Sequence, residues 1–146
     1  MVENSGLVTS VTTNDIEKSY DADYHERAER LIHKLYYIGC KYDVIDLDPY
    51  GSAYECFDLA VKMATKGLVV TFSEIGHKRW KRLDFVRRHY GITSLDDLNL
   101  QAFVDHLEMI ANRNKKHLTV IFSRQWDFVA RVWFRIEQLK ITEQWD

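Results

Sequence analysis

DVIDLDPYGS, residues 43–52, is the stretch on which the reading of the whole chain turns. Val44, Ile45 and Leu47 are set among Asp43, Asp46 and Asp48, and the run stops at the only proline, Pro49, followed by Tyr50, Gly51 and Ser52. A strand ending this way gathers carboxylates, an aromatic ring and a glycine at its carboxyl end. In an open parallel sheet that is the end where ligands bind. Proline fixes φ and offers no N–H, and glycine lets the backbone approach a ligand closely. Taken alone, Asp-Pro and Gly-Ser are ordinary turn formers, so the weight of the stretch depends on its neighbours.

Beyond the turn, Ser52 with Glu55 three residues later forms a capping-box pattern. It opens a predicted helix over 52–65, with Phe57, Ala60, Val61 and Ala64 as the buried stripe and Gly67 as its stop. GLVVTF, 67–72, is apolar throughout, as a strand covered on both faces of a parallel sheet is. Before the opening stretch, residues 22–38 repeat Ala28, Leu31, Ile32, Leu35 and Ile38 at helical spacing and halt at Gly39, and Tyr42–Leu47 then reads as a strand. GLVTSVTT, 6–13, reads as a further strand ending at Asn14–Asp15. A helix over 95–112 carries Leu98, Phe103, Leu107 and Ile110. Residues 118–123 and 127–137, parted by Arg124–Trp126, read as a β-hairpin whose second strand aligns Phe128, Ala130, Val132, Phe134 and Ile136 on one face. The order β-α-β-α-β-α-α-β-β predicts one α/β domain over 1–146. Its sheet is mostly parallel, with right-handed crossovers, helices on both faces and a C-terminal antiparallel β-hairpin.

Composition narrows the function classes. With 46% hydrophobic and 29% charged residues the chain is globular. No apolar run approaches the roughly 18 residues of a membrane span, and no signal segment opens the chain, so a cytoplasmic location is expected. Cys40 and Cys56 read as reduced core thiols. The histidines are scattered, and no metal site is expected. A net charge of −2 confines any nucleic-acid contact to a local patch. HKRWKRLDFVRRHY, 77–90, is such a patch, holding Lys78, Arg79, Lys81, Arg82, Arg87 and Arg88 with Trp80, Phe85 and Tyr90 interleaved. Cations with stackable rings suit phosphates and exposed bases. The same spacing also suits a solvated helix that turns Leu83, Val86 and Tyr90 inward. Glu74 and His77, ending the 67–72 strand, either line a pocket or form a solvated turn.

DLDPYGSA, followed by a helix and GLVVTFSE, resembles motif IV and the next strand of class I S-adenosylmethionine-dependent methyltransferases. It is most similar to the tRNA (guanine-N2) dimethyltransferases, with their D-x-D-P-F-G-S, and also to the D-P-P-Y of DNA amino-methyltransferases. The terminal hairpin is similar to that superfamily's last two strands, and the resemblance covers about residues 8–137. It implies a truncated Rossmann-like methyltransferase fold acting on an exocyclic amine of a nucleic-acid base, in DNA or tRNA, with S-adenosylmethionine as cofactor. Asp48, Pro49 and Tyr50 would be catalytic: the Asp48 carboxylate and Pro49 carbonyl accept the amine's N–H bonds, and Tyr50 stacks on the flipped base. Asp15, Asp21 and Asp46 would face the cofactor. Lys78, Arg79, Trp80, Lys81, Arg82, Arg87 and Arg88 would meet the nucleic acid.

The family's glycine-rich cofactor loop has no counterpart. The glycines are 6, 39, 51, 67, 76 and 91, and no two are one residue apart. Such a cofactor needs close backbone approach and the amides of a helix N-terminus. Three readings therefore stay open: an amino-methyltransferase completed by a partner chain or by a reduced cofactor site, a catalytically inactive member that binds nucleic acid or a protein, and a structural protein with an accidental motif. The absent strand also predicts a free edge at Asp43–Leu47. Either Gly6–Asn14 shifts in to pair with it, bringing Asn14 and Asp15 beside Asp46 and Asp48, or a second copy or another chain covers it. The shift is the expected solution.

Overall fold

The structure is a computed structural model; it describes residues 10–80 and 83–139, without the side chains of residues 79 and 80. Four strands form one sheet in the order β1-β2-β4-β3. These are β1 (Tyr42–Leu47), β2 (Ala64–Phe72), β3 (Lys116–Gln125) and β4 (Ala130–Gln138). Five helices accompany them: α1 (Ala28–Tyr37), α2 (Phe57–Met63), α3 (Gly76–Trp80), α4 (Leu83–Tyr90) and α5 (Leu100–Arg113). From α1 onward helices and strands alternate as the sequence predicts, with three helices in place of two before a closing hairpin whose turn lies at 126–129 and not at 124–126, and β1 has the expected ends.

The sheet is less parallel than expected. β1 pairs with β2 in parallel, whereas β2 with β4 and β3 with β4 are antiparallel. Of the strand expected at 6–13, residues 6–9 lie outside the described residues, and residues 10–13 are irregular, with Asn14 bridged to Tyr24. Within the described residues β1 therefore keeps one edge unpaired, and the predicted insertion of Asn14 and Asp15 beside it does not occur. Thr13 and Asn14 are instead tied to their own loop by Asp23 and Glu26.

Among the described residues helices cover one face of the sheet, where both were expected. Alternation along β4 sends Ala130, Val132, Phe134 and Ile136 inward, level with Phe72, Val70 and Leu68 of β2, and these join Phe57, Val61, Phe103 and Leu107 in one core. The opposite face carries Val44, Asp46, Val69, Arg131, Trp133 and Phe122 with no described helix above it.

Gly67 is not a helix stop. Helix α2 ends at Met63, and Gly67 lies inside β2, where an added Cβ would sit 3.3 Å from a Val44 methyl and 3.4 Å from the Phe134 carbonyl. Glycine is used there because its two neighbouring strands close in on it. The capping box does not form either. Tyr54–Cys56 is a single 3-10 turn, and the Ser52 hydroxyl accepts from the Tyr54 amide at 3.0 Å. Between α2 and β2 there is no loop at all. The Lys116 ammonium seals the junction, donating to the carbonyls of Val61, Lys62 and Ala64 at 2.6, 3.1 and 2.9 Å, and burial holds its pKa below the usual lysine value.

Candidate functional site

The DLDPYGS turn projects from the carboxyl end of β1, next to the end of β2. Leu47 anchors it in the core, and Ala53 is wholly buried on its far side. Between them the chain is pushed outward. Tyr50 is fully exposed at 101%, Asp48 is exposed, and Gly51 adopts φ +91°, a left-handed conformation that glycine takes without strain. The Ser73 hydroxyl, from just past β2, donates to the Gly51 carbonyl at 3.0 Å and fixes the turn to the neighbouring strand.

Arg131 is the residue that sequence reasoning missed. From β4 it crosses the open face of the sheet, pairs with the Asp46 carboxylate, donates to the Thr71 hydroxyl at 2.9 Å and stands 3.8 Å from the Asp48 carboxylate. Its guanidinium also lies 5.3 Å from the Trp133 ring. One guanidinium thus neutralises the two acids that flank Leu47. The alternation of β4 placed Arg131 opposite the core residues, but nothing in a single sequence identifies its partners two strands away.

The other expected site residues are separated from this centre. Asp15 accepts from the Glu17 amide at 2.9 Å within its own loop, and Asp21 is exposed in the same loop. Of the basic segment, Lys78, Arg87 and Arg88 are exposed cations on α3 and α4. Lys81 and Arg82 lie outside the described residues, as do the side chains of Arg79 and Trp80. Phe85 and Tyr90 do not face outward as stacking platforms. Phe85 lies between His77 and His89, at 5.5 and 4.1 Å, and Tyr90 packs on Tyr54, Phe103 and His106. This is the inward-facing alternative for Val86 and Tyr90, with Arg87 and Arg88 left to solvent.

Glu74 is no solvated turn. It is completely buried just beyond β2, and the Tyr90 hydroxyl donates to one of its oxygens. Burial and then the Glu74 charge push the Tyr90 phenol well above its ordinary value. Cys56 is a buried core thiol raised to about 12, so it stays protonated. Among the described residues no group of three His, Cys, Asp or Glu is arranged to hold a metal, and no helix is long and apolar enough to cross a membrane. A cavity of about 360 Å³ lined by Ile75, Lys78, Asn99, Gln125 and Asp127 shares no residue with the DLDPYGS turn.

Comparison with known proteins follows the same residues. The family model for N2,N2-dimethylguanosine tRNA methyltransferase matches residues 3–144. tRNA (guanine(26)-N(2))-dimethyltransferase 2 of Arabidopsis thaliana is 30% identical over 103 residues, covering 66% of this chain and 18% of the relative. The Homo sapiens tRNA (guanine(26)-N(2))-dimethyltransferase is 28% identical over 116 residues, 75% of this chain and 18% of its own. Among solved structures, Trm1 from Pyrococcus horikoshii with S-adenosyl-L-methionine superposes with a TM-score of 0.64 at 22% identity, over 79% of this chain and 32% of that one. That likeness is one of fold. The chain spans less than a fifth of these two relatives and a third of the superposed structure.

Proposed function

The chain belongs to the N2,N2-dimethylguanosine tRNA methyltransferase family, and from that premise we propose that it forms the methyl-accepting side of an enzyme that methylates the exocyclic amine of guanine in tRNA. The observation that carries this reading is the exposed Asp48-Pro49-Tyr50-Gly51 turn at the carboxyl end of β1, held by Ser73 and faced by Arg131.

A guanine amine is a poor nucleophile because its lone pair is delocalised into the ring. Two acceptors set against its N–H bonds, the Asp48 carboxylate and the Pro49 carbonyl, localise that pair and aim it; this is positioning and charge stabilisation more than proton abstraction. Tyr50 has a free face on which a flipped base stacks. Arg131 pairs closely with Asp46 and stands 3.8 Å from Asp48, which leaves Asp48 able to turn to the amine. Lys78, Arg87 and Arg88 meet backbone phosphates of the tRNA. S-adenosylmethionine, the donor implied by the family, supplies an electrophilic methyl on a sulfonium. The described residues fit the acceptor and not a cradle for that donor: Asp46 is committed to Arg131, Asp15 to its own loop, and no two glycines are one residue apart. A partner chain, or a second copy, would pair at the unpaired edge of β1. The location that suits this substrate is the cytoplasm.

The decisive experiment incubates the protein, together with any chain that co-purifies with it, with unmodified tRNA and methyl-labelled S-adenosylmethionine, then identifies methylated nucleosides by mass spectrometry. N2-methylated guanosine is expected, and Asp48→Asn should abolish it while leaving the melting temperature nearly unchanged, since Asp48 is exposed. The spacing of the glycines favours a second reading, a non-catalytic tRNA-binding member of the family. tRNA binding without methyl transfer would establish that reading in place of the first.

A further inference from the structure

Glu74 is the one charged side chain that is fully buried among the described residues, and one of its carboxylate oxygens has no hydrogen-bond partner there. A buried carboxylate with a single donor is costly, and an apolar pair of the same volume would serve folding as well or better. Its setting suggests what it does instead. Ser73 and Glu74 are consecutive at the end of β2 and tie down two different parts of the molecule. Ser73 holds the Gly51 carbonyl of the acceptor turn, and Glu74 holds the hydroxyl of Tyr90, the last residue of α4. The same α4 carries Arg87 and Arg88 on its outer side. Just past the turn, Tyr54 lays its ring edge-on to Tyr90 at 5.2 Å.

Resting on the tRNA methyltransferase reading, we propose that Tyr90 is a positioning residue: its bond to Glu74 registers the cationic helix α4 against the acceptor turn, so that a tRNA seated on α4 presents its base to Asp48 and Tyr50. DLDPYGS and the basic segment are thereby joined through two adjacent residues just past β2. Removing the Tyr90 hydroxyl frees α4 to shift against the turn without removing any group that touches tRNA.

Tyr90→Phe keeps the ring and its packing while deleting the donor. Amide hydrogen exchange and steady-state methylation are measured on the full chain for this variant, Glu74→Gln and Glu74→Leu. In Tyr90→Phe we expect exchange of the Gly51–Tyr54 amides to quicken about tenfold relative to the β2 and β4 amides. The same variant should lower kcat about tenfold, with KM for tRNA within about twofold of the parent. Glu74→Gln still offers an acceptor and should keep near-parental values, whereas Glu74→Leu should match Tyr90→Phe. Exchange that quickens equally throughout the sheet would reduce the bond to ordinary core stability and overturn the proposal. Parental kcat in Tyr90→Phe, or Glu74→Gln as damaged as Glu74→Leu, would overturn it too. A parent that transfers no methyl group would overturn the underlying reading and the positioning role with it. Slow, unchanged exchange in an active parent's variant would sink the tie alone.

Discussion

On one face of the sheet Leu68, Val70, Phe72, Val132 and Phe134 are sealed against α2 and α5, while on the other Val44 and Phe122 remain 55% and 58% exposed. Both faces are apolar, so hydrophobicity alone does not say which is covered. β2 makes the point most clearly. Val69 is on the uncovered face and is still only 8% exposed, flanked in the ladder by Asp46 of β1 and Trp133 of β4. A strand that is apolar throughout therefore reports neighbours of any kind, and not necessarily two layers of helix.

The comparison is tested most severely in the covered layer. Phe72 is fully buried and stacks on Phe103 at 6.0 Å. Phe72→Ala should cost about 3–5 kcal/mol by chemical denaturation, and a loss below about 1 kcal/mol would show that the face is not sealed. Lys116 closes the edge of the same layer. Lys116→Met leaves the carbonyls of Val61, Lys62 and Ala64 without their donor and should cost about 1–3 kcal/mol; a neutral result would mean that water replaces the ammonium freely.

A smaller effect concerns pH. His106, on α5 against Tyr54 and Tyr90, is held below its ordinary value of 6.5, first by burial and then by Arg113 and His89. The unfolded chain accepts a proton there that the folded protein refuses. The melting temperature should therefore fall as pH drops below about 6.5 and level off once both states are charged. His106→Asn should flatten that part of the pH profile, and an unaltered slope would assign it to another group. The smallest change is expected on the open face, where Phe122→Ser should alter stability by no more than about 0.5 kcal/mol. A cost near that of Phe72→Ala would mean that something covers Phe122 in solution, and the contrast between the faces would fail.

How far the sequence carried these conclusions depends on the range of the forces involved. β1 was legible to the residue, since a strand bounded by Tyr42 and by Asp48-Pro49 has local signals at both ends. The helices and the hairpin were legible in kind from their periods. The start of β2 was not: Ala64–Lys66 continue the helical apolar pattern in sequence, yet they pair with β1 and become strand, so tertiary pairing overrode local preference. The candidate site divides in the same way. Asp48, Pro49 and Tyr50 announce themselves through their own spacing. Arg131, Ser73 and the buried pairing of Glu74 with Tyr90 do not, because each acts on a partner 16 to 85 residues away.

The seam where α2 becomes β2 sets a limit on how the chain can vary in length. Met63 is helix and Ala64 is strand, with Lys116 clasping the carbonyls on both sides. A strand turns over with every added residue. One inserted amino acid at this seam would carry Leu68, Val70 and Phe72 to the solvent side and bring Gly67, Val69 and Thr71 beneath the helices. At the hairpin tip, by contrast, Asp127 and Phe128 bridge strands whose register is held elsewhere along the ladder. Length change in descendants of this sequence is thus free at the tip of the hairpin and frozen at the seam, about fifteen residues beyond the DLDPYGS turn.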